Sequence, residues 1–204
     1  MNNNKKVIFW DFDGVLMDSN AVRDLGFEKV LADFPEEQVQ QLMDFHRNNG
    51  GLSRYVKFRH FFETIRKEEL TDEKLKNYTD RFSEIMLSLL LDESLLIQPT
   101  INFVKNNYHN YKMHIVSGSD QTELRKICVT LNLSQYFVSI HGSPTPKKQW
   151  IKDLLEENQY DLKDCVLIGD SHNDFEAADV NRIDFWGYGN EKITALSTVN
   201  FSLE

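Results

Sequence analysis

The apolar run at residues 7–10, Val-Ile-Phe-Trp, stops abruptly at the four residues DFDG. A short run that is apolar at nearly every position is typical of a parallel strand covered on both faces, so a strand is predicted over residues 6–12. Alternate residues of a strand point the same way, so Asp11 and Asp13 would converge at its carboxyl end, where open α/β sheets bind ligands. Gly14 would let the backbone turn sharply there. A simple Asp-Gly turn is the alternative interpretation.

Strand-like and helix-like segments alternate in the second half of the chain. Three more short apolar segments have the character of buried strands, at residues 113–116, 137–140 and 165–168. Segments with apolar residues at helical spacing lie between and after them, at residues 100–108, 121–131 and 148–158, and a further short helix is predicted after Asn173. This alternation predicts an α/β fold whose core is a Rossmann-like, doubly wound parallel sheet.

Residues 20–93 interrupt the alternation, because they contain helical patterns and no convincing strand. The predicted helices lie at residues 20–32, 36–47, 54–67 and 71–90. The third carries an apolar stripe that we interpret as packing core, formed by Tyr55, Phe58, Phe62 and Ile65. The prediction is therefore two domains: a core domain at residues 1–18 and 94–204, and an inserted α-helical cap domain at residues 19–93.

Composition excludes several classes of function. A net charge of -9 argues against a nucleic-acid partner, since phosphate backbones are bound by basic surfaces. The apolar stretches are too short to span a membrane, and the stretch after the N-terminal MNNNKK is too short for a secretory signal. Cys128 and Cys165 lack a second Cys or a His at metal-ligand spacing, which favours buried thiols in a reducing compartment. We therefore expect a cytoplasmic protein that binds neither nucleic acid nor membrane.

A second acidic group follows the apolar segment at residues 165–168, where Gly169 precedes Asp170, and Asp174 comes four residues later. Mg²⁺ takes oxygen ligands and is usually held by one or two carboxylates, waters and substrate phosphate. Asp11, Asp170 and Asp174 could supply that environment. Capping of the following helix, by Ser171, Asn173 or Asp174, is an alternative that is compatible with metal binding.

The two remaining strand ends carry groups that suit an anion. Ser117-Gly118-Ser119-Asp120 could offer a hydroxyl and free backbone N–H groups at a helix N-terminus, a typical anion-binding nest. Lys147 and Lys148 fall at the start of a predicted helix, where the dipole disfavours cations. Two lysines there favour a functional interpretation, although a solvated pair is the commoner explanation. The candidate phosphate-binding residues are Ser117, Gly118, Lys147 and Lys148.

In order along the chain, these motifs resemble those of the haloacid dehalogenase superfamily, in particular its phosphoglycolate phosphatase and β-phosphoglucomutase-like members with a helical cap. The four matching stretches are DFDGV, IVSGS, PTPKK and GDSHND. The resemblance implies that Asp11 is the nucleophile that forms an aspartyl-phosphate, and that Asp13 is the general acid and base. The second role would need a pKa nearer neutrality than that of a free Asp.

The resemblance also implies the cofactor and its ligands. Mg²⁺ would be held by the Asp11 carboxylate, the Asp13 backbone carbonyl and Asp170, with Asp174 as a ligand or a supporting partner. Ser117 and one lysine would bind phosphoryl oxygens. Lys147 is favoured, but the proline that usually follows this lysine is missing, so Lys148 remains open.

In the predicted cap, the run Gly51-Leu52-Ser53-Arg54 resembles the substrate loop of sugar phosphomutases and their phosphatase relatives. That resemblance implies that Arg54 faces a distal anion of the substrate. Arg23 occupies the position where the mutases have a histidine, and it is either a second anion contact from the cap or an exposed residue. Lys57 and Arg59 are expected to be surface charges.

The favoured function is hydrolysis of a small phosphorylated metabolite by a Mg²⁺-dependent phosphatase. A phosphosugar mutase is the alternative, which the missing histidine disfavours. A phospho-switch of the response-regulator type is a third hypothesis, but such receivers do not carry the phosphorylated Asp on the first strand or a helical insert of this size. The sequence does not choose among phosphoglycolate, hexose phosphates and nucleoside monophosphates, and it leaves the oligomeric state open.

Overall fold

A computed structural model of the protein describes residues 5–203 and contains a five-stranded, wholly parallel sheet. The strands lie in the order β3-β2-β1-β4-β5, so β1 is central. In chain order they are β1 (Val7–Trp10), β2 (Lys112–Asp120), β3 (Ser139–Ser143), β4 (Cys165–Gly169) and β5 (Asp184–Gly187). The prediction of a Rossmann-like parallel α/β sheet is confirmed.

Nine α-helices accompany the strands within residues 5–203. Four of them lie between β1 and β2: α1 (Asn20–Val30), α2 (Glu36–Asn48), α3 (Arg54–Arg59) and α4 (Asp72–Leu89). The others are α5 (Gln98–Asn107), α6 (Gln121–Thr130), α7 (Lys147–Asn158), α8 (His172–Val180) and α9 (Glu191–Thr194). None of the helices in the described part of the chain is both long and apolar enough to cross a membrane.

The sheet is covered on both faces, as the continuous apolar character of β1 predicts. Ile8 and Trp10 pack into one cluster with residues of α5 and α6, whereas Val7 and Phe9 pack into another with residues of α7 and α8. Their side chains are almost fully excluded from solvent. The central strand is therefore buried from two sides, and its carboxyl end is the place where it can present polar groups.

The register of the sheet brings the ends of β1 and β4 to one level, next to the middle of β2. Trp10 lies opposite Ile115 of β2 and Ile168 of β4. The N–H of Asp11 donates to the carbonyl of Ile168 at 2.9 Å, so the pairing extends one residue beyond β1. The residues that follow β1 and β4 consequently lie side by side.

The segment at residues 19–93, here called the helical insert, packs around its own aromatic core. Phe27 lies 4.5 Å from Phe82 and 5.3 Å from Phe58, measured between ring centroids. Phe58 and Phe62 of the predicted stripe are buried, which confirms that these two residues form packing core, and Tyr55 and Ile65 are half-buried. The chain winds more widely after α3, as a π-helical turn at His60–Ile65.

Several predicted boundaries were wrong. β3 begins at Ser139, two residues after the predicted start, because a 3₁₀ turn at Ser134–Tyr136 precedes it and Phe137 is buried without belonging to the strand. The predicted strand at residues 113–116 continues to Asp120. The edge strand β5 was not predicted, because it has four residues and alternates half-buried with buried positions.

We expect Phe58→Ala to lower the free energy of unfolding by about 3–5 kcal/mol, because it removes a fully buried ring from the aromatic core of the insert. The matched control is Val56→Ala on the same helix, whose side chain is 45% exposed and should cost less than about 1 kcal/mol. Urea denaturation followed by circular dichroism would measure both variants. Equal losses of stability would show that the stripe is not a core.

Candidate active site

Three carboxylates meet at the carboxyl edge of the sheet. Asp11 follows β1, Asp170 follows β4, and Asp174 lies in the first turn of α8. One ligand oxygen from each lies within 4.8 Å of the others. We call Asp11, Asp170 and Asp174 the acidic cluster. Asp11 and Asp174 are buried, so their charges need a partner inside the protein.

Lys147 supplies that partner. Its Nζ lies 2.9 Å from Asp11 Oδ1 and also contacts Asp174 Oδ1. Lys147 is the first residue of α7 and is 4% exposed. Lys148 points elsewhere: its ammonium lies 3.2 Å from Glu176 Oε1 on an exposed surface. Of the two candidate lysines, the structure brings Lys147 to the acidic cluster and leaves Lys148 outside it.

Burial, followed by mutual repulsion, raises the pKa of two carboxylates of the acidic cluster. Burial raises the pKa of Asp11 well above its ordinary value, Asp174 raises it further, and Lys147 opposes both. Burial and the neighbouring Asp174 raise the pKa of Asp170 to about 6. One lysine thus compensates the three carboxylates incompletely. Clustered carboxylate oxygens with excess negative charge are a donor set that fits a hard divalent cation such as Mg²⁺.

Asp174 also caps α8. Its Oδ2 accepts hydrogen bonds from the backbone N–H of Ser171 at 3.1 Å and from the Ser171 hydroxyl at 2.6 Å, while Ser171 Oγ accepts from the N–H of Asp174. This reciprocal pair is a capping box. Both oxygens of Asp174 therefore have protein partners, which suits a residue that supports a metal site from behind.

Gly14 is required by close packing at this edge. Its φ is +74°, and a Cβ built on it would lie 2.0 Å from Asp170 Oδ2. Any side chain would therefore displace the Asp170 carboxylate as well as strain the backbone. The side-chain amide of Asn20 also donates to Asp170 Oδ2, at 3.2 Å.

Asp13 has its own set of donors. Arg23 Nε lies 3.0 Å from its Oδ1, and the hydroxyls of Ser19 and Ser119 donate to its two oxygens. Burial raises the pKa of Asp13, but Arg23 and the two hydroxyls outweigh it and hold the pKa below its ordinary value. A general acid would need a pKa nearer neutrality than that of a free Asp. In this structure the shift is in the opposite direction, because the arginine stabilises the carboxylate.

The two candidate cap arginines share one buried glutamate. Arg23 Nη1 donates to Glu123 Oε1, and Arg54 Nη1 lies 2.7 Å from Glu123 Oε2 as an ion pair. Arg54 also donates to Ser83 Oγ at 2.6 Å, and its guanidinium lies 4.5 Å above the ring of Phe82. Arg23 is therefore not an exposed residue, and much of the hydrogen-bonding capacity of both arginines is used by protein groups.

The segment at residues 117–120, where an anion nest is predicted, belongs to the end of β2, and its register against β3 is irregular between Val116 and Asp120. The helix α6 begins afterwards, and Asp120 caps it by accepting from the N–H groups of Thr122 and Glu123 at 3.0 Å. Ser117 is buried beside the acidic cluster, where its Oγ accepts from the N–H of Ser119 at 3.1 Å.

Gly118 of β2 lies close against the backbone of the helical insert. A Cβ at this position would lie 2.1 Å from the carbonyl oxygen of Gly51. Two hydrogen bonds flank the contact: Asn173 Nδ2 donates to that carbonyl at 3.1 Å, and the Tyr55 hydroxyl donates to Asp120 at 2.8 Å. The insert therefore lies directly against the carboxyl edge of the sheet.

A cavity of about 470 Å³ lies between the insert and the sheet. Its wall contains these candidates from the sequence: Asp11, Asp13, Arg23, Arg54, Ser117, Gly118 and Asp170.

Other residues at the site were not foreseen, namely Ser19, Asn20, Ser119, Glu123 and Lys57. Lys57 was expected at the surface and is 4% exposed, whereas the side chain of Arg59 is 42% exposed, in partial agreement with the prediction. Ser119 could have been predicted from the sequence, because it lies two residues after Ser117 and alternate residues of a strand point the same way.

Comparison with known proteins agrees with this geometry. A model of the family described as haloacid dehalogenase-like hydrolase matches residues 7–187. Phosphoglycolate phosphatase of Aquifex aeolicus (strain VF5) is 26% identical, and the match covers 90% of this chain and 86% of that protein.

Solved structures share the fold. A predicted phosphoglycolate phosphatase from Haemophilus somnus 129PT is 20% identical, with a TM-score of 0.71 over 92% of this chain and 87% of that one. β-Phosphoglucomutase from Clostridium difficile is 14% identical, with a TM-score of 0.77 over 97% of this chain and 91% of that one. Because the family match spans the whole sheet and the acidic cluster, this chain is an enzyme that belongs to the haloacid dehalogenase-like hydrolase family.

Proposed function

We propose that this enzyme is a Mg²⁺-dependent phosphatase that hydrolyses a small phosphorylated metabolite through an aspartyl-phosphate intermediate. The family and the phosphatase relative support the reaction class. The observation that carries the proposal is the contact of Lys147 with Asp11, inside the acidic cluster and beside a cavity large enough for a small metabolite.

Asp11 is the proposed nucleophile. Its Oδ1 accepts from the N–H of Phe12 at 2.8 Å and contacts Lys147, so the carboxylate is held in a fixed orientation at the cavity wall. Attack on phosphorus forms the aspartyl-phosphate and expels the alcohol of the substrate, and water then cleaves the acyl phosphate. Lys147 and the Ser117 hydroxyl are the donors proposed to neutralise the phosphoryl oxygens.

Asp13 is proposed to exchange protons with the leaving alcohol and with the attacking water. Its pairing with Arg23 keeps it ionised in this structure, which suits the base role. The acid role requires a higher pKa, and a substrate that draws the Arg23 guanidinium toward itself would provide this by weakening the pair.

The proposed Mg²⁺ ligands are Asp11, Asp170 and the Asp13 backbone carbonyl, with Asp174 in support. Burial and mutual repulsion raise the pKa of Asp11 and Asp170, and this shortage of compensating positive charge favours a cation here. Bound Mg²⁺ would offset the negative charge that otherwise keeps a phosphate away from a carboxylate nucleophile.

The helical insert is proposed to act as a cap, with domain boundaries at residues 19 and 93. Its contact with Gly118 and the Tyr55 hydrogen bond to Asp120 place it over the edge that carries Asp11. A cap in this position would exclude bulk water while the aspartyl-phosphate forms. The substrate, as a small molecule, would lie in the cavity between the two parts.

We expect the wild-type enzyme to release inorganic phosphate from one or more phosphorylated metabolites, and Asp11→Asn to lower kcat by about 10³-fold or more, because the amide is not a nucleophile. Asp13→Asn should lose activity comparably. A malachite-green assay over a metabolite panel, with sugar-phosphate isomers followed by phosphorus NMR, would measure both reactions. Interconversion of sugar-phosphate isomers without release of free phosphate would show that the enzyme is a phosphosugar mutase and not a phosphatase.

Removal of divalent metal should abolish turnover. We expect EDTA to stop phosphate release and added Mg²⁺ to restore it, and Asp170→Asn to need a higher Mg²⁺ concentration for half-maximal activity, since one oxygen donor is weakened. Titration of activity with Mg²⁺ gives the comparison. Full activity in EDTA would contradict the assignment of the acidic cluster as a metal site.

Lys147→Met should lower kcat/KM by about 10²- to 10³-fold, because it removes a buried cation that contacts the proposed nucleophile. The matched control is Lys148→Met, which changes the neighbouring lysine on the exposed surface and should retain wild-type kinetics. Circular dichroism would establish that both variants are folded. Comparable losses of kcat/KM in the two variants would show that Lys147 has no specific role in the mechanism.

A further inference from the structure

Lys57 is a buried cation at the wall of the cavity, contributed by helix α3 of the insert. It is 4% exposed, and its Nζ lies 5.9 Å above the ring of Phe27. Lys57 is three residues after Arg54, so the two side chains lie on neighbouring positions of one helix face. Its side chain therefore crosses an apolar environment and carries its charge to the cavity.

The other cations of the cavity wall have carboxylate partners. Arg23 pairs with Asp13 and Glu123, Arg54 pairs with Glu123, and Arg47 pairs with Asp24 at 2.9 Å. Within residues 5–203, Lys57 has no ion pair and no side-chain hydrogen bond. A buried ammonium without a partner is costly, so it is the group of the wall with most to gain from an incoming anion.

Arg23 offers a second donor to the same space. Its Nε and Nη1 are engaged by Asp13 and Glu123, but its Nη2 is buried and has no hydrogen-bond partner among the described residues. Arg23 also lines the cavity. An arginine and a lysine of the cavity wall thus have donor atoms without a hydrogen-bond partner among the described residues, and neither residue is part of the acidic cluster.

We propose that the Lys57 ammonium and Nη2 of Arg23 bind a second anionic group of the substrate, a carboxylate or a second phosphate, while its phosphoryl group lies at Asp11. This inference rests on the proposed phosphatase function and defines its substrate class as phosphomonoesters that carry a further negative charge. In this proposal Lys57, and not Arg54, binds the distal anion of the substrate, because Arg54 is already neutralised by Glu123.

The pKa of Lys57 agrees with such a site. Burial lowers the pKa of Lys57 to about 7, Asp13 raises it, and Arg23 lowers it. The ammonium form therefore lacks stabilisation when only protein groups surround it. A bound anion would supply that stabilisation and would raise the pKa of Lys57 again.

The test uses pairs of substrates that differ in the second charge. One pair is 2-phosphoglycolate and 2-hydroxyethyl phosphate, for a carboxylate, and the other is glucose 1,6-bisphosphate and glucose 6-phosphate, for a second phosphate. Each is assayed with wild type, Lys57→Met, Lys57→Arg and the control Lys29→Met, which alters an exposed lysine elsewhere in the insert. For each pair, the wild-type preference is the ratio of kcat/KM for the member with two anionic groups to kcat/KM for the member with one. The pair with the larger ratio identifies the second group as a carboxylate or a phosphate.

We expect Lys57→Met to raise KM for the preferred substrate with two anionic groups by about 10- to 100-fold. Its kcat for that substrate, and both kinetic constants for the partner that has only the phosphate, should change less than about threefold. Lys57→Arg should restore much of the preference, and Lys29→Met should behave as wild type. Equal losses for both members of each pair would overturn the proposal, because they would indicate a structural role or an effect on Asp13. A wild-type enzyme without preference for either charged member would also overturn it.

The proposal can fail separately from the phosphatase function. If the wild type releases phosphate from none of the four compounds, calorimetric binding of 2-phosphoglycolate and glucose 1,6-bisphosphate is measured to wild type and to Lys57→Met. Binding that weakens at least tenfold in Lys57→Met would support the anion site although the proposed reaction is wrong. Binding unaffected by Lys57→Met, or absent from wild type, would refute the anion site.

Discussion

The contact of Lys147 with Asp11 and Asp174 is the interaction on which the rest of the site depends. It joins the end of β1 to the starts of α7 and α8, and all three side chains are buried. Removing one member of such a group leaves uncompensated charge inside the protein, which costs several kcal/mol. The same ion pairs that hold three elements together therefore also fix the Asp11 carboxylate at the cavity wall, in contact with the Lys147 ammonium.

A second group of charges joins the insert to the sheet. Asp13 and Glu123 belong to the part of the chain around β1 and α6, while Arg23 and Arg54 belong to the insert. These pairs draw the insert toward the carboxyl edge of the sheet, and they also decide which cations remain available to a ligand. In the proposed function, substrate selection would depend on the cations that have no carboxylate partner in the protein, of which Lys57 is the clearest example.

The sequence predicted the sheet and the acidic cluster because both follow from local patterns. Continuous apolar runs marked β1 and β4, and the carboxylates came directly after them. The pairing of Arg54 with Glu123 could not be predicted, since the residues are far apart in the chain and only the packing of α3 on β2 and α6 brings them together. Lys57 was misjudged for a related reason: the burial of a lysine depends on which neighbours cover it. The length of β2 was underestimated because it runs four residues beyond its apolar core, through Ser117 to Asp120.

The Gly118–Gly51 contact has a consequence for the timing of the catalytic cycle. Gly118 comes directly after Ser117, so the insert touches the sheet within one residue of a proposed phosphoryl-binding hydroxyl, and a backbone carbonyl fills the space where a Cβ would be. Entry and exit of ligand past this point require two main chains to separate, together with the hydrogen bonds beside them. If the insert acts as the proposed cap, opening and closing at this contact would set an upper limit on kcat, and substrates with very different chemical reactivity would then share the same maximal rate.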